Sequence, residues 1–175
     1  MVDDTKVVAA VADPPRAAPA PLESVFRVHY ARLVALARVL LDRQVEAEEV
    51  VQEAFARVLA RRGADDTPLP YVERTVVNLC RDGLRRRAVV RRTRELVGDD
   101  ARAAEQVALG TAEQRRVVDA VRALPRRQRE CVALRHLLGR STDETAAVLG
   151  ISEGSVKTHL HRGMAALETE LEDWR

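Results

Sequence analysis

Lysine is almost missing from this chain: Lys6 and Lys157 are the only two in 175 residues. Arginine supplies the other cations, and the formal net charge is only +2 although 32% of residues are charged. With so balanced a total, where the charges sit matters more than their sum. Aromatic residues make up 3% of the chain, which is low for a sheet-rich protein. The two cysteines, Cys80 and Cys131, lie far apart without metal-ligand spacing; they read as small buried hydrophobes in a reducing compartment. No apolar run approaches the ~20 residues of a membrane span. The first residues, M-V-D-D-T-K, are acidic and lack a signal-peptide layout. The expectation is a cytoplasmic protein without membrane insertion.

Enzymatic signatures are also missing. There is no glycine-rich phosphate loop and no Ser/His/Asp layout. Of the four histidines, His29, His136, His159 and His161, the last two are two residues apart on a helix and diverge by about 200°. No carboxylate or cysteine completes a metal site beside them. The chain is expected to be no enzyme and to hold no metal or cofactor.

What is present is helical periodicity, and the class expected is all-α. Residues 1–21 carry prolines at 14, 15, 19 and 21 and read as a disordered tail. From Leu22, the residues Phe26, Tyr30, Leu33, Ala37 and Leu40 form an apolar stripe that predicts a helix to about Leu41. A second helix is expected over 45–61, with Ala47, Val51, Ala54, Phe55 and Val58 inward. Arg61 to Pro70 reads as a loop, long for a helical bundle. A third helix follows over 71–87, with Val72, Val76, Leu79 and Cys80 on its core side. Glu95 to Thr111 reads as linker. Val117, Val118, Val121 and Leu124 form the next stripe, stopped by Pro125, and another helix is expected over 126–138. These signals divide the chain into a tail (1–21), a helical domain (22–92), a flexible linker (93–112) and a second helical domain (113–172).

The most informative stretch is S-T-D-E-T-A-A-V-L-G-I-S-E-G-S-V-K-T-H-L-H-R-G-M-A-A-L, residues 141–167. Ser141 and Glu144 have capping-box spacing. A short helix should run over 142–149, ended by Gly150, and Ser152 can cap a second helix. Ala146, Gly150 and Val156 stand where a helix-turn-helix needs a small residue, a tight turn and a buried β-branched residue. On a wheel of about 100° per residue, Val156, Leu160, Met164 and Leu167 share the core face. Ser155, Lys157, Thr158, His161 and Arg162 cover the rest. Such a face can simply be solvated on an ordinary helical hairpin. Agreement of caps, turn, core spacing and outward donors favours major-groove reading.

Two further faces carry charge. Glu46, Glu49 and Glu53 line one face of the second helix with Gln52 at its edge; they are either solvent decoration or a docking face for a basic partner. On the third helix, Arg74, Asn78, Arg81 and Arg85 make a stripe of donors. From Arg81 to Arg94 there are seven arginines against one acid, Asp82. A basic helix end can suit the helix dipole alone, but seven cations exceed that need, and nucleic-acid phosphate is the favoured counter-charge.

Residues 123–167 closely resemble the promoter −35-binding domain of extracytoplasmic-function (ECF) sigma factors. E-A-E-E-V-V-Q-E-A-F, residues 46–55, is similar to that family's core-polymerase-binding helix. Y-V-E-R-T-V-V-N-L-C-R-D-G-L-R-R-R, residues 71–87, resembles its −10-binding helix. The resemblance implies that Glu49, Gln52 and Glu53 dock on the β′ coiled coil of core RNA polymerase, which also offers its β subunit as partner. It implies that Asn78, Arg81 and Arg85 line the −10 promoter DNA, with Arg74 of the same stripe beside them and the loop 61–70 capturing a flipped-out base. Lys157, Thr158, His161 and Arg162 would read the −35 element, with Ser155 of the same outward face beside them, and an anti-sigma factor would control the protein. Four residues differ from common family choices: Tyr71 for Trp, Thr145 for a branched apolar residue, and Thr158-His159 for Ser-Arg. The V-K-T-H-L segment also resembles LuxR-type regulators, whose dimers need no polymerase-docking helix.

Overall fold

The computed structural model describes residues 21–41, 44–62, 68–97 and 111–172. The expected tail up to residue 20, most of the expected linker, the middle of the 61–70 loop and Trp174 lie outside these residues. Seven α-helices are described: α1 (Leu22–Leu40), α2 (Gln44–Arg62), α3 (Leu69–Val97), α4 (Ala112–Ala123), α5 (Arg126–Val132), α6 (Thr142–Leu149) and α7 (Glu153–Glu172). A π-helical turn, Ala133–Leu137, joins α5 to the approach of α6. No strand occurs among the described residues.

α1, α2 and α3 pack on one another. The inward face of α2 is Ala47, Val51, Ala54, Phe55 and Val58, all buried. Glu46 leaves the acidic stripe and pairs with Arg87 of α3. α1 buries more than the one stripe its period suggests. Leu33, Ala37 and Leu40 are buried, and so are Leu22, Val25, Val34 and Leu36. Phe26 instead is 41% exposed, its ring tilted against Tyr30 and edge-on to Phe55. The wider burial has a clear cause: α1 also packs against α4, α5 and the π turn. Each Leu or Val so buried contributes about 1.5–3 kcal/mol.

α3 is longer than the 71–87 expected, starting at Leu69 and ending at Val97. Pro70 falls in its first turn, where the missing N–H costs nothing. In α4 Ala120 is buried, as is Leu124 just past its end, while Val117 is 42% exposed. The helix expected over 126–138 is interrupted at Ala133. There the Leu138 N–H bonds the Ala133 carbonyl at 3.2 Å, an i→i+5 closure that inserts one residue into the turn. Gly139, at φ 69°, then reverses the chain so that the Arg140 N–H reaches the Leu134 carbonyl at 3.0 Å.

The two halves of the chain share one core. Leu134, Leu138, Val148, Leu149 and Val156 belong to the same buried cluster as Leu33, Leu36, Val51 and Val76. A smaller cluster of Ala120, Leu124, Val132 and Leu167 fixes α4 and α5 on α7.

Candidate nucleic-acid interface

The helix-turn-helix is built from its caps upward. The Glu144 N–H donates to Ser141 Oγ at 3.3 Å and the Ser141 N–H to Glu144 Oε2 at 2.8 Å, which closes the capping box at the start of α6. Gly150 ends α6 at φ 66°, ψ 42°, a left-handed conformation that glycine adopts without strain. Its N–H and that of Ile151 both bond the Ala146 carbonyl, at 2.9 and 3.2 Å. Ser152 Oγ accepts the Ser155 N–H at 3.2 Å and so caps α7. Val156 is fully buried and Leu167 buried, with Leu160 and Met164 half-buried beside them.

That packing leaves Lys157, Thr158, His161 and Arg162 exposed on α7. Thr158 Oγ1 donates to the Gly154 carbonyl at 2.9 Å. Its hydroxyl proton is thus spent inside the helix, and it offers outward only lone pairs and a methyl. Ser155 is half-buried, its hydroxyl 2.9 Å from that of Ser152; it belongs to the cap as much as to the outer face. The face combines two cationic donors with a methyl and an acceptor, the chemistry that distinguishes base edges in a major groove.

Arg74, Asn78 and Arg85 of the α3 stripe are exposed and Arg81 is half-buried, and each arginine bonds a group within the chain. Arg81 Nε and Nη2 donate to the two carboxylate oxygens of Glu130 at 2.7 and 2.8 Å, and Arg81 Nη1 reaches Asn78 Oδ1 at 3.3 Å. Arg74 Nε donates to the Val148 carbonyl at 3.3 Å, and its Nη2 to that of Ala147. Arg85 is exposed and bonds Asp82 at 2.6 Å. Beside this stripe lies a cavity of about 210 Å³ between α2 and α3, lined among others by Arg57, Arg61, Tyr71, Arg74 and Asn78. Three arginines and one aromatic ring, with Asp82 the one acid in the lining, suit a base and its phosphate.

On α2, Glu49, Gln52 and Glu53 are all exposed, and Glu53 accepts a bond from Arg57 at 2.6 Å. Cys80 and Cys131 are buried, and burial pushes their thiols up to about 12 and about 11. No group of His, Cys, Asp or Glu that could hold a metal ion occurs among the described residues. No helix among them is long and apolar enough to cross a membrane.

Two features went unread in the sequence. Arg140 donates from Nε and Nη2 to Glu73 Oε1, at 2.9 and 2.6 Å, inside the core, and Glu130 is the partner of Arg81. Glu73 did carry a signal: it shares a helical face with Val76, Val77 and Cys80. Glu130 is the one acid in P-R-R-Q-R-E.

Residues 25–104 match the family model of sigma-70 region 2, and residues 114–167 that of sigma-70 region 4. The chain is 35% identical over 153 residues to the RNA polymerase sigma-E factor of Streptomyces antibioticus, covering 86% of this chain and 84% of the relative. The chain belongs to the ECF sigma factors of the sigma-70 family. A second relative is the ECF sigma factor SigM of Mycobacterium tuberculosis, 34% identical over 151 residues, covering 83% of this sigma factor and 74% of SigM. Among solved structures, the fold is similar to sigma factor RpoE from Bartonella quintana, crystallised with the anti-sigma factor NepR. The TM-score is 0.70 at 22% identity, over 87% of this chain and 97% of that one. CnrH, in complex with the cytosolic domain of CnrY, gives a TM-score of 0.64 at 25% identity, over 87% and 88% of the two chains. As a sigma factor the protein directs RNA polymerase to promoters. The LuxR-type reading is not favoured, because it leaves the region 2 half unaccounted for.

Proposed function

We propose that this sigma factor reads the −35 element with Lys157, Thr158, His161 and Arg162 of α7, Ser155 setting the first turn, and holds melted −10 DNA along Arg74, Asn78, Arg81 and Arg85 of α3. The cavity between α2 and α3 takes one unstacked base, with Arg57 and Arg61 on its phosphates. Glu49, Gln52 and Glu53 dock on the β′ coiled coil of core polymerase, and an anti-sigma factor in the cytoplasm covers these surfaces until they are needed.

The observation that carries this reading is the outward exposure of Lys157, Thr158, His161 and Arg162 on a helix whose opposite face is anchored by buried Val156 and Leu167. No covalent chemistry is required. Unstacking a base costs a few kcal/mol. Several phosphate contacts and a base pocket offset that cost once polymerase fixes the geometry.

Run-off transcription with core enzyme and a genomic promoter library tests the proposal, with start sites sharing −35 and −10 sequences as the expected result. Failure to redirect core polymerase to any start site would reject it. Glu53→Arg is expected to weaken core binding with the helical signal unchanged; unaltered polymerase affinity would remove that face from the docking surface.

A further inference from the structure

Gly154 and Thr158 lie one turn apart on α7, and both are exposed. On a wheel of about 100° per residue, Thr158 falls almost directly opposite the midpoint of Val156 and Leu167, which are buried. Its side chain therefore stands at the crest of the outward face. Gly154 precedes it on the same side, and His161 and Arg162 follow one turn later.

Neither residue has a free side-chain hydrogen to offer. Thr158 Oγ1 donates to the Gly154 carbonyl at 2.9 Å, so the hydroxyl is turned back along the helix. The same bond selects between the two rotamers that threonine uses in a helix, which fixes the methyl. A serine would make the same bond with a slightly better helix propensity. What threonine adds is the methyl group.

Nothing within the chain calls for glycine at position 154. Its φ is not positive, unlike those of Gly139 and Gly150. An added Cβ would meet nothing closer than Ser152 Oγ at 3.9 Å. Glycine weakens a helix relative to alanine. What the missing side chain provides is room: a surface can approach the α7 backbone closely beside the Thr158 methyl. Lys157 and Arg162 are exposed to either side, so the face is apolar at its centre and cationic at its flanks. Thymine is the base that carries a methyl group on its major-groove edge, and a threonine methyl is a fitting contact for it.

We propose that Gly154 and Thr158 form a notch at the centre of the −35 face, in which the Thr158 methyl packs on the 5-methyl group of one thymine, so that this base is chosen by apolar contact and not by a hydrogen bond. The inference rests on the assignment of α7 to −35 DNA.

The test uses holoenzyme assembled from core RNA polymerase and the full chain. A promoter recovered by run-off transcription is randomised over its −35 element, and the bound duplexes are sequenced. Each preferred thymine is then replaced by deoxyuridine, which removes the 5-methyl group alone. At one position uracil is expected to weaken binding about fourfold, the value of one buried methyl group. Thr158→Ser is expected to abolish that thymine-over-uracil ratio and to leave the other −35 preferences in place. Thr158→Val, which keeps a methyl and loses the hydroxyl, retains the ratio. Gly154→Ala lowers it, although the chain unfolds at higher urea. Both residues are exposed, so these substitutions spare the core. Equal binding of thymine and uracil at every position overturns the proposal. So does a Thr158→Ser variant that keeps the ratio, a Thr158→Val variant that loses it, or a Gly154→Ala variant that leaves it unchanged. A −35 element without any base preference overturns the assignment of α7 together with the notch, whereas a clear −35 preference untouched by these variants overturns the notch alone.

Discussion

Gly163 sets how closely α5 can approach α7, and its replacement tests that packing. A Cβ added there would lie 3.0 Å from Val132 Cγ2, 3.4 Å from Gln128 Cβ and 3.7 Å from Leu124 Cδ1. Val132 is 4% exposed, and a β-branched side chain in a helix has essentially one rotamer, so its methyl cannot turn away. Gly→Ala at a compatible helical site gains about 0.4–1 kcal/mol through the unfolded chain. Overpacking by one methyl costs about 1–3 kcal/mol. The second effect wins, and Gly163→Ala is expected to lose about 0.5–2 kcal/mol net. Gly154 is the internal control: the nearest atom to its added Cβ is Ser152 Oγ at 3.9 Å, and Gly154→Ala is expected to gain about 0.4–1 kcal/mol. Urea unfolding of both variants, followed by helical circular dichroism, measures the pair of signs. If Gly163→Ala stabilises as much as Gly154→Ala, α5 and α7 do not meet at this distance, and the geometry that aims α7 is wrong.

Three other outcomes are expected. Arg162→Ala should cost about 1–3 kcal/mol of promoter binding at one −35 position if it reads a base edge; equal loss on every sequence would make it a phosphate contact. Thr145 is fully buried with Oγ1 unpartnered, so Thr145→Val should stabilise by about 1–3 kcal/mol, and a loss on urea unfolding would mean the hydroxyl has found a partner. His29 is held below its usual pKa by burial and by the nearby Arg140 and Arg32 charges. A lowered histidine pKa means its contribution is complete above about pH 6.5 and is lost as the pH falls from there through the native value. The stability difference between wild type and His29→Gln should therefore shrink on acidification from pH 7.5 to 5, and a constant difference would refute the assignment.

The local helix signals were legible because they depend on near neighbours. The capping box of Ser141 and Glu144, the turn at Gly150 and the inward face of α2 all follow from spacing within a few residues. What spacing does not carry is which second surface a helix meets. The period of α1 marks one face, yet Leu36 and Val25 are buried too, on a helix that also packs against α4, α5 and the π turn. The arginines of α3 were rightly set apart from its core side, but their partners lie 49 and about 73 residues away, beyond any periodic pattern. Gly163 carries no local signal for the same reason: Val132 and Gln128, which it meets, are on α5. The π turn at Ala133 was hidden because one inserted residue leaves no mark in composition.

The near absence of lysine has a practical consequence for α7. Lys157 is exposed on that helix, and the other lysine, Lys6, is near the N-terminus. An acylating reagent therefore has a single ε-amine to modify between residues 21 and 172, and it stands on the face proposed to read the −35 element. Protection of one peptide from acetylation in the presence of duplex would report occupancy of the −35 surface in the unmutated chain.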